Sequence, residues 1–186
     1  MKTALITGAS RGIGRAVARE LAHQGWAVGI NYLNRADKAR ELVEELTAEG
    51  CHAAMFQADV ADSAAVAEMV RKLGETFSPV ELVVNNAGVS GQGLFQDTTD
   101  EMWDRYLAVN LSGARNTVKA ALPPHDLGKT GLHRKYFLHL GPAGGKLRGG
   151  LLLHKGRHHR PDPVVGYGIG PLRHPGKLRG PRRHQH

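Results

Sequence analysis

Cysteine is all but absent: Cys51 is the only one in 186 residues. One thiol closes no intrachain disulfide, so a disulfide-stapled fold is excluded and a reducing, cytoplasmic setting is expected. Aromatic residues make up only 5% of the chain, which leaves few rings for stacking on nucleic-acid bases. No apolar run approaches the roughly 20 residues of a membrane-crossing helix, so no membrane partner is expected. Met1 to Ala9 is too short and turn-rich for a signal peptide, and its apolar residues fit a first strand. Acidic residues are scarce too, but only in one place. Residues 1–124 carry 12 Lys+Arg against 15 Asp+Glu, a net −3. Residues 125–186 carry 13 against 2, a net +11, and nine of the 11 histidines. The overall +8 therefore belongs to the last third, and the composition changes at Pro123-Pro124. We divide the chain there, into a domain over 1–124 and a basic Gly/Pro/His/Arg-rich tail over 125–186.

What the first segment does contain is a glycine-rich turn, Thr7–Gly14 (TGASRGIG). It follows an apolar run from Thr3 to Thr7 and precedes Arg15 to His23, which has an apolar helical face. Strand, glycine turn and helix form the context of a dinucleotide-binding fingerprint. Gly8 lets the chain leave the strand sharply, Gly12 lets a pyrophosphate approach the backbone, and Gly14 lets the helix pack closely. The helix N-terminus offers free N–H groups to phosphates.

The rest of the segment alternates. Strands are predicted over Ala27–Asn31, His52–Gln57 and Glu81–Val84. Helices are predicted over Arg35–Glu49, from Asp62 or Ser63 to Leu73, from Thr98 or Thr99, and from Trp103 to Leu122 with a break at Gly113. Glu41, Glu44, Glu45 and Glu49 would face solvent. This order means an α/β fold, a Rossmann-type doubly wound parallel sheet.

Four motifs then identify a family. Thr7–Gly14 (TGASRGIG), Asp59-Val60, Asn85–Gly88 (NNAG) and Asn110 within Val109-Asn110-Leu111 occur in the order and spacing of the short-chain dehydrogenase/reductases. The first 124 residues resemble the first half of such an enzyme, and most resemble the bacterial 3-oxoacyl-[acyl-carrier-protein] reductase branch. The resemblance implies that Gly8, Ser10, Arg11, Gly12, Ile13 and Gly14 cradle a pyrophosphate. It implies that Asp59 accepts from the adenine amino group with the Val60 backbone beside it, and that Asn86, Ala87 and Gly88 line the adenosine side. It also implies that Asn110 holds a water in a proton relay. Family members are usually homo-oligomers, and their substrate here would be a small or acyl-carrier-bound carbonyl compound.

Cofactor choice has a physical argument. A carboxylate about 20 residues past the glycines would take the ribose 2′-hydroxyl of NAD. The second strand ends instead in Asn31-Tyr32, with Arg35 following and Arg11 inside the turn. A 2′-phosphate needs cationic donors and no adjacent carboxylate, so NADP is favoured. The plainer alternative is that Arg11 and Arg35 are merely solvated. Asp59 has a plain alternative as well, capping the next turn. Asn85 reads as a turn residue that ties strands together, and Trp26 and Trp103 read as packing residues. His23 and His52 read as surface or helix-end residues, and Cys51 as a small inert hydrophobe.

Past Pro124 the family pattern stops. The family requires a strand ending in serine, then Tyr-x-x-x-Lys, then Pro-Gly. Tyr136 is followed four residues later by Leu140 and Tyr167 by Pro171. The tail holds 13 Gly and 6 Pro in 62 residues, a composition that reads as irregular. With no continuation, Glu81–Val84 would be left with an open edge and the long helix with an uncovered apolar face.

Translated one nucleotide later, within codon degeneracy, the same tail can spell the missing half in order. Gly131–Leu138 (GLHRKYFL) can spell Gly-Cys-Ile-Val-Asn-Ile-Ser-Ser, and Leu151–Lys155 (LLLHK) can spell Tyr-Ser-Ser-Thr-Lys. Arg173–Arg183 can spell Gly-Ile-Arg-Val-Asn-Cys-Val-Ala-Pro-Gly-Val. The tail thus reads as an out-of-frame translation of a reductase gene.

Three functions follow as expectations. The first is an NADP-dependent carbonyl reductase by ancestry, inactive as this polypeptide because it lacks the serine and the Tyr-x-x-x-Lys. A variant of it is a relative of elongation factor P 5-aminopentanone reductase, which the shifted tail resembles. The third is a nucleic-acid-binding module built on the basic tail, disfavoured by its three aromatics, Tyr136, Phe137 and Tyr167. Metal binding by His154, His158 and His159 has partly suitable spacing but no scaffold.

Overall fold

The computed structural model describes residues 1–91 and 94–122, together with the backbone of 136–140 and 150–153. The chain runs β1 (Thr3–Ile6), α1 (Gly12–His23), β2 (Ala27–Tyr32), α2 (Ala36–Ala48), β3 (Ala53–Gln57), α3 (Ser63–Thr76) and β4 (Val80–Asn85). A single 3-10 turn, Phe95–Asp97, leads into α4 (Asp100–Leu107). A π-helical turn, Ala108–Ser112, joins α4 to α5 (Gly113–Ala121). Two further strands are β5 (Tyr136–Leu140) and β6 (Gly150–Leu153).

The sheet order is β3-β2-β1-β4-β5-β6. All neighbours are parallel except β5 and β6. From β1 to β3 each new strand is added on one side, and from β4 on the other, so the order reverses between β1 and β4. Ligands of such sheets bind in the crevice at the strand C-termini beside that reversal. The C-terminal ends of β1 and β4 lie there, and they carry Thr7–Gly14 and Asn85–Gly88.

Alternation along β1 sets up two cores. Ala4 and Ile6 face α1 and α2, packing with Ala18, Ala22, Val28, Ile30, Leu42 and Leu46. Leu5 faces the other side, where Val66, Met69, Leu73, Val83, Val109 and Ala121 pack. A sheet buried on both faces has apolar strands throughout, and β1 and β2 are buried along their whole length.

Several differences from the sequence reading have local causes. The first helix starts at Gly12, three residues early, because Arg11 is extended and Gly12 already begins the helix. The long helix is not broken at Gly113. It widens into the π turn just before it, and a Cβ at Gly113 would lie 2.7 Å from Val60 Cγ2, so the glycine is there for close packing. Of the four glutamates, Glu41, Glu44 and Glu49 do face solvent and Glu45 is half-buried; Glu41 and Glu45 also reach back to Arg15, Glu45 and Glu49 to Arg19, and Glu49 to His23. The polar faces of α1 and α2 meet in that ladder of ions. Trp26 packs against the first core, but Trp103 is half exposed and lies edge-on to exposed Phe95.

The irregular reading of the tail is corrected at two places. Tyr136–Leu140 pairs in parallel with β4, and Gly150–Leu153 pairs antiparallel with it in turn, so β4 has no open edge. The cause is local composition: YFLHL and GLLL are short aromatic and aliphatic runs between the glycines and prolines. Unpaired strand edges recruit such segments. His154, His158 and His159, and the basic remainder of the tail, lie outside the described residues.

Candidate dinucleotide site

The turn after β1 is held from three sides. Thr7 is fully buried, and its hydroxyl donates to the Val84 carbonyl at 3.3 Å. The same oxygen accepts from the backbone N–H groups of Asn86 and Ala87, both at 3.0 Å. One threonine thereby fixes the end of β4 against the end of β1. From the β4 side, the Asn86 amide donates to the Thr7 and Gly8 carbonyls at 2.9 and 3.0 Å. From the β2 side, buried Asn31 accepts from the Gly8 N–H at 3.2 Å and donates to the Ala58 carbonyl at 3.0 Å. Asn31 therefore spends its amide inside the protein, tying the turn to the ends of β2 and β3.

These contacts explain two of the glycines. A Cβ at Gly8 would lie 2.9 Å from Ala87 Cα. A Cβ at Gly14 would overlap the Asn86 amide nitrogen and sit 2.8 Å from the Gly8 carbonyl oxygen. Gly12 is different: its φ is +59°, and a Cβ there would meet nothing within 4 Å. The turn is thus packed from below at Gly8 and Gly14 and open above Gly12. The N-terminus of α1 has no side-chain cap, since Arg11 makes no capping bond. Uncapped N–H groups beside an open glycine fit a pyrophosphate.

Three arginines surround the turn, and their commitments differ. Arg15 is bonded to Glu41 and Glu45 at 3.1 and 2.7 Å. Arg35 holds Asp37 with its fork, Nε and Nη2 donating at 3.1 and 2.9 Å. That fork holds the Asp37 carboxyl down to about 2. The Arg11 side chain is exposed and has no partner among the described residues. Ser10 is buried beside it, and Ile13 is half exposed on the first turn of α1.

On the far side, Asp59 follows β3. Its Oδ1 accepts from the Ala61 N–H at 2.9 Å, closing a turn, and its Oδ2 accepts from Arg105 Nη1 at 2.9 Å. Each oxygen keeps one lone pair. Val60 is buried, and its carbonyl accepts from the buried Asn116 amide at 3.0 Å. Asn85 accepts from the Thr117 hydroxyl at 2.6 Å, tying β4 to α5. Asn110 sits in the π turn. Its Oδ1 accepts from the Val89 N–H and its Nδ2 donates to the Val89 carbonyl, both at 2.9 Å. It pins the chain after Ala87 and Gly88, with one amide hydrogen and one lone pair left over.

Arg105, Asn116 and Thr117 were not singled out by sequence reasoning. Their partners lie 46, 56 and 32 residues away, and no local pattern announces them.

Comparison with known proteins agrees with this architecture. Residues 2–132 match the short chain dehydrogenase family, and the chain belongs to that family. Its Rossmann-like α/β fold is that of the family's solved structures. Among curated relatives, 122 residues are 40% identical to the 3-oxoacyl-[acyl-carrier-protein] reductase FabG of Staphylococcus epidermidis, covering 66% of this chain and 50% of the relative. A 2,3-dihydro-2,3-dihydroxybenzoate dehydrogenase of Bacillus subtilis is 42% identical over 119 residues, covering 64% and 45%. The chain spans about half the length of the curated relatives it matches. Among solved structures, a short chain dehydrogenase from Burkholderia cenocepacia in complex with NADP is 40% identical with a TM-score of 0.63, covering 64% and 49%. Among the described residues, no helix is long and apolar enough to cross a membrane.

Proposed function

We propose that the described N-terminal segment is the adenosine-diphosphate half of an NADP site, and that the chain is by descent a carbonyl reductase. The observation that carries this reading is the contrast around the turn. Gly8 and Gly14 are packed against protein, while Gly12 is open beside an uncapped helix N-terminus and an Arg11 that has no partner among the described residues. The N–H groups from Gly12 to Gly14 bind the pyrophosphate. Arg11 is the cation for a 2′-phosphate, joined by Arg35 only if it releases Asp37. Asp59 takes the adenine amino group on a remaining lone pair, beside Val60, and Asn86, Ala87 and Gly88 form the floor. When bound, the dinucleotide supplies a hydride. Asn110 holds a water with its spare amide hydrogen or lone pair.

The substrate class we propose is a 3-oxoacyl thioester on an acyl carrier. The relatives named above are similar to this chain over about two thirds of its length. The polypeptide itself lacks the serine and Tyr-x-x-x-Lys that the resemblance requires, so we propose that it does not turn over. A phenol with its pKa near 10 needs a neighbouring cation to pass a proton near neutral pH, and the tail presents no tyrosine with a lysine four residues on. We also propose that the segment from about residue 125 is translated out of frame.

Calorimetric titration tests the site. NADP is expected to bind at least tenfold tighter than NAD, and Arg11→Ala to remove that preference while leaving NAD binding unchanged. Equal affinity for the two, or no effect of Arg11→Ala, would refute the 2′-phosphate assignment. Sequencing the gene across the Pro123-Pro124 codons tests the reading frame. Stop codons in the shifted frame, or no serine and Tyr-x-x-x-Lys codons there, would overturn it.

A further inference from the structure

The ends of α1 and α2 meet at a corner about 18 Å, one length of α1, from the glycine turn. His23 is the last residue of α1, Glu49 caps α2, and Cys51 follows two residues later. The His23 Nε2 lies 2.6 Å from Oε2 of Glu49. With the Cys51 sulfur, the three donor atoms all lie within 4.8 Å of one another. We infer that His23, Glu49 and Cys51 form a surface site for a thiophilic divalent cation of the zinc type.

The donor set is an imidazole nitrogen, a carboxylate oxygen and a thiolate, each a usual zinc ligand. Around one tetrahedral zinc such donors stand about 3.3–3.6 Å apart. Small rotations of three partly exposed side chains supply that spacing. The backbone that carries them is fixed. The Gly25 and Trp26 N–H groups close α1 onto Ala22 and Leu21 at 2.9 and 3.0 Å. The Gly50 and Cys51 N–H groups close α2 onto Thr47 and Leu46 at 3.0 and 2.9 Å in the same pattern. Two helix C-termini therefore point at one corner, and their negative dipole ends favour a cation there.

The facing charges leave room for it. Arg19 is bound to Glu45 at 2.7 Å and stands 3.9 Å from Glu49 Oε1, leaving Oε2 to His23. His52, next in the chain, turns away and lies edge-on to Phe77. Binding releases the thiol proton and any proton shared between His23 and Glu49 to solvent. The fourth position is left to water. Bound metal would link α1 to α2 beyond the ion-pair ladder.

Cobalt(II) is the probe, titrated into the full chain at neutral pH. Cys51 is the only cysteine, so a thiolate-to-cobalt charge-transfer band reports this site alone and is blind to the other histidines. The expected band saturates at one equivalent, is displaced by zinc, and vanishes in Cys51→Ser. His23→Ala and Glu49→Gln are each expected to weaken binding at least tenfold with circular dichroism unchanged. Absence of the band overturns the proposal. So does a band whose affinity is unchanged in either His23→Ala or Glu49→Gln, since the thiol would then be acting without its neighbours.

Discussion

Gly14→Ala probes the structural claim that the glycine turn is packed from below. The added methyl would overlap the Asn86 amide nitrogen, with the Gly8 carbonyl oxygen at 2.8 Å and Ala9 Cα at 3.0 Å behind it. Two of these three obstacles are backbone, so they cannot rotate away. Overpacking of this kind costs about 1–3 kcal/mol. If Asn86 moves, its bonds to the Thr7 and Gly8 carbonyls are lost, at about 1 kcal/mol each. The total is about 3–5 kcal/mol, a large part of the 5–15 kcal/mol that holds a domain together. Gly12→Ala is the matched control. It meets nothing within 4 Å and suffers only its φ of +59°, about 1–2 kcal/mol. With a urea m-value of roughly 2 kcal/mol/M, Gly14→Ala should lower the unfolding midpoint by about 1.5–2.5 M and Gly12→Ala by less than about 1 M. In an Asn86→Ala background the Gly14→Ala penalty should shrink by roughly 1–2 kcal/mol, because one obstacle is gone. Equal midpoints for the two glycine variants, or strict additivity with Asn86→Ala, would refute the packing argument.

Other expectations follow from single contacts. Thr117→Val leaves Asn85 Oδ1 buried without its donor, and should cost about 1–3 kcal/mol in urea unfolding. Asn31→Leu removes the bridge from Gly8 to the Ala58 carbonyl, and should destabilise by about 2–4 kcal/mol and loosen NADP binding together. Asp37 and Glu68 are both lowered to about 2, by hydrogen bonds from Arg35 and Arg71. A depressed carboxylate stabilises the fold above its unfolded pKa of about 4, and that stabilisation fades as pH falls toward 2. Carbon-detected NMR titration should give midpoints near pH 2 at low salt, rising in about 0.5 M salt because both pairs are exposed. Ordinary midpoints at low salt would count against both pairs.

What the sequence made legible was whatever a contiguous segment decides. The Asp62 cap on α3 and the Thr99 cap on α4 form as their residue types suggest. The glycine turn follows β1 and opens α1, and the sheet is doubly wound. Asn31 shows where the reading thins. Its place at the end of β2 was visible, but its side chain points inward to Gly8 and Ala58, 23 and 27 residues away. Arg105 on Asp59 and Asn116 on the Val60 carbonyl are likewise products of the fold, not of any local pattern. The π turn at Ala108–Ser112 has no proline to announce it, and it is where Asn110 clasps Val89. The strands at Tyr136–Leu140 and Gly150–Leu153 were hidden by averaging over a glycine-rich tail, although each run taken alone has strand composition.

As proposed above, this polypeptide carries an NADP adenosine half-site without the nicotinamide and catalytic half. Binding of adenosine 2′,5′-bisphosphate and of NADPH to the full chain, compared by calorimetry, tests it most directly. Saturable binding of both is expected, with affinities within about tenfold, or 1.4 kcal/mol, because the nicotinamide adds little. No NADPH oxidation is expected with a 3-oxoacyl thioester. NADPH binding more than a hundredfold tighter than the bisphosphate, turnover at ordinary enzymatic rates, or no binding of either would contradict it.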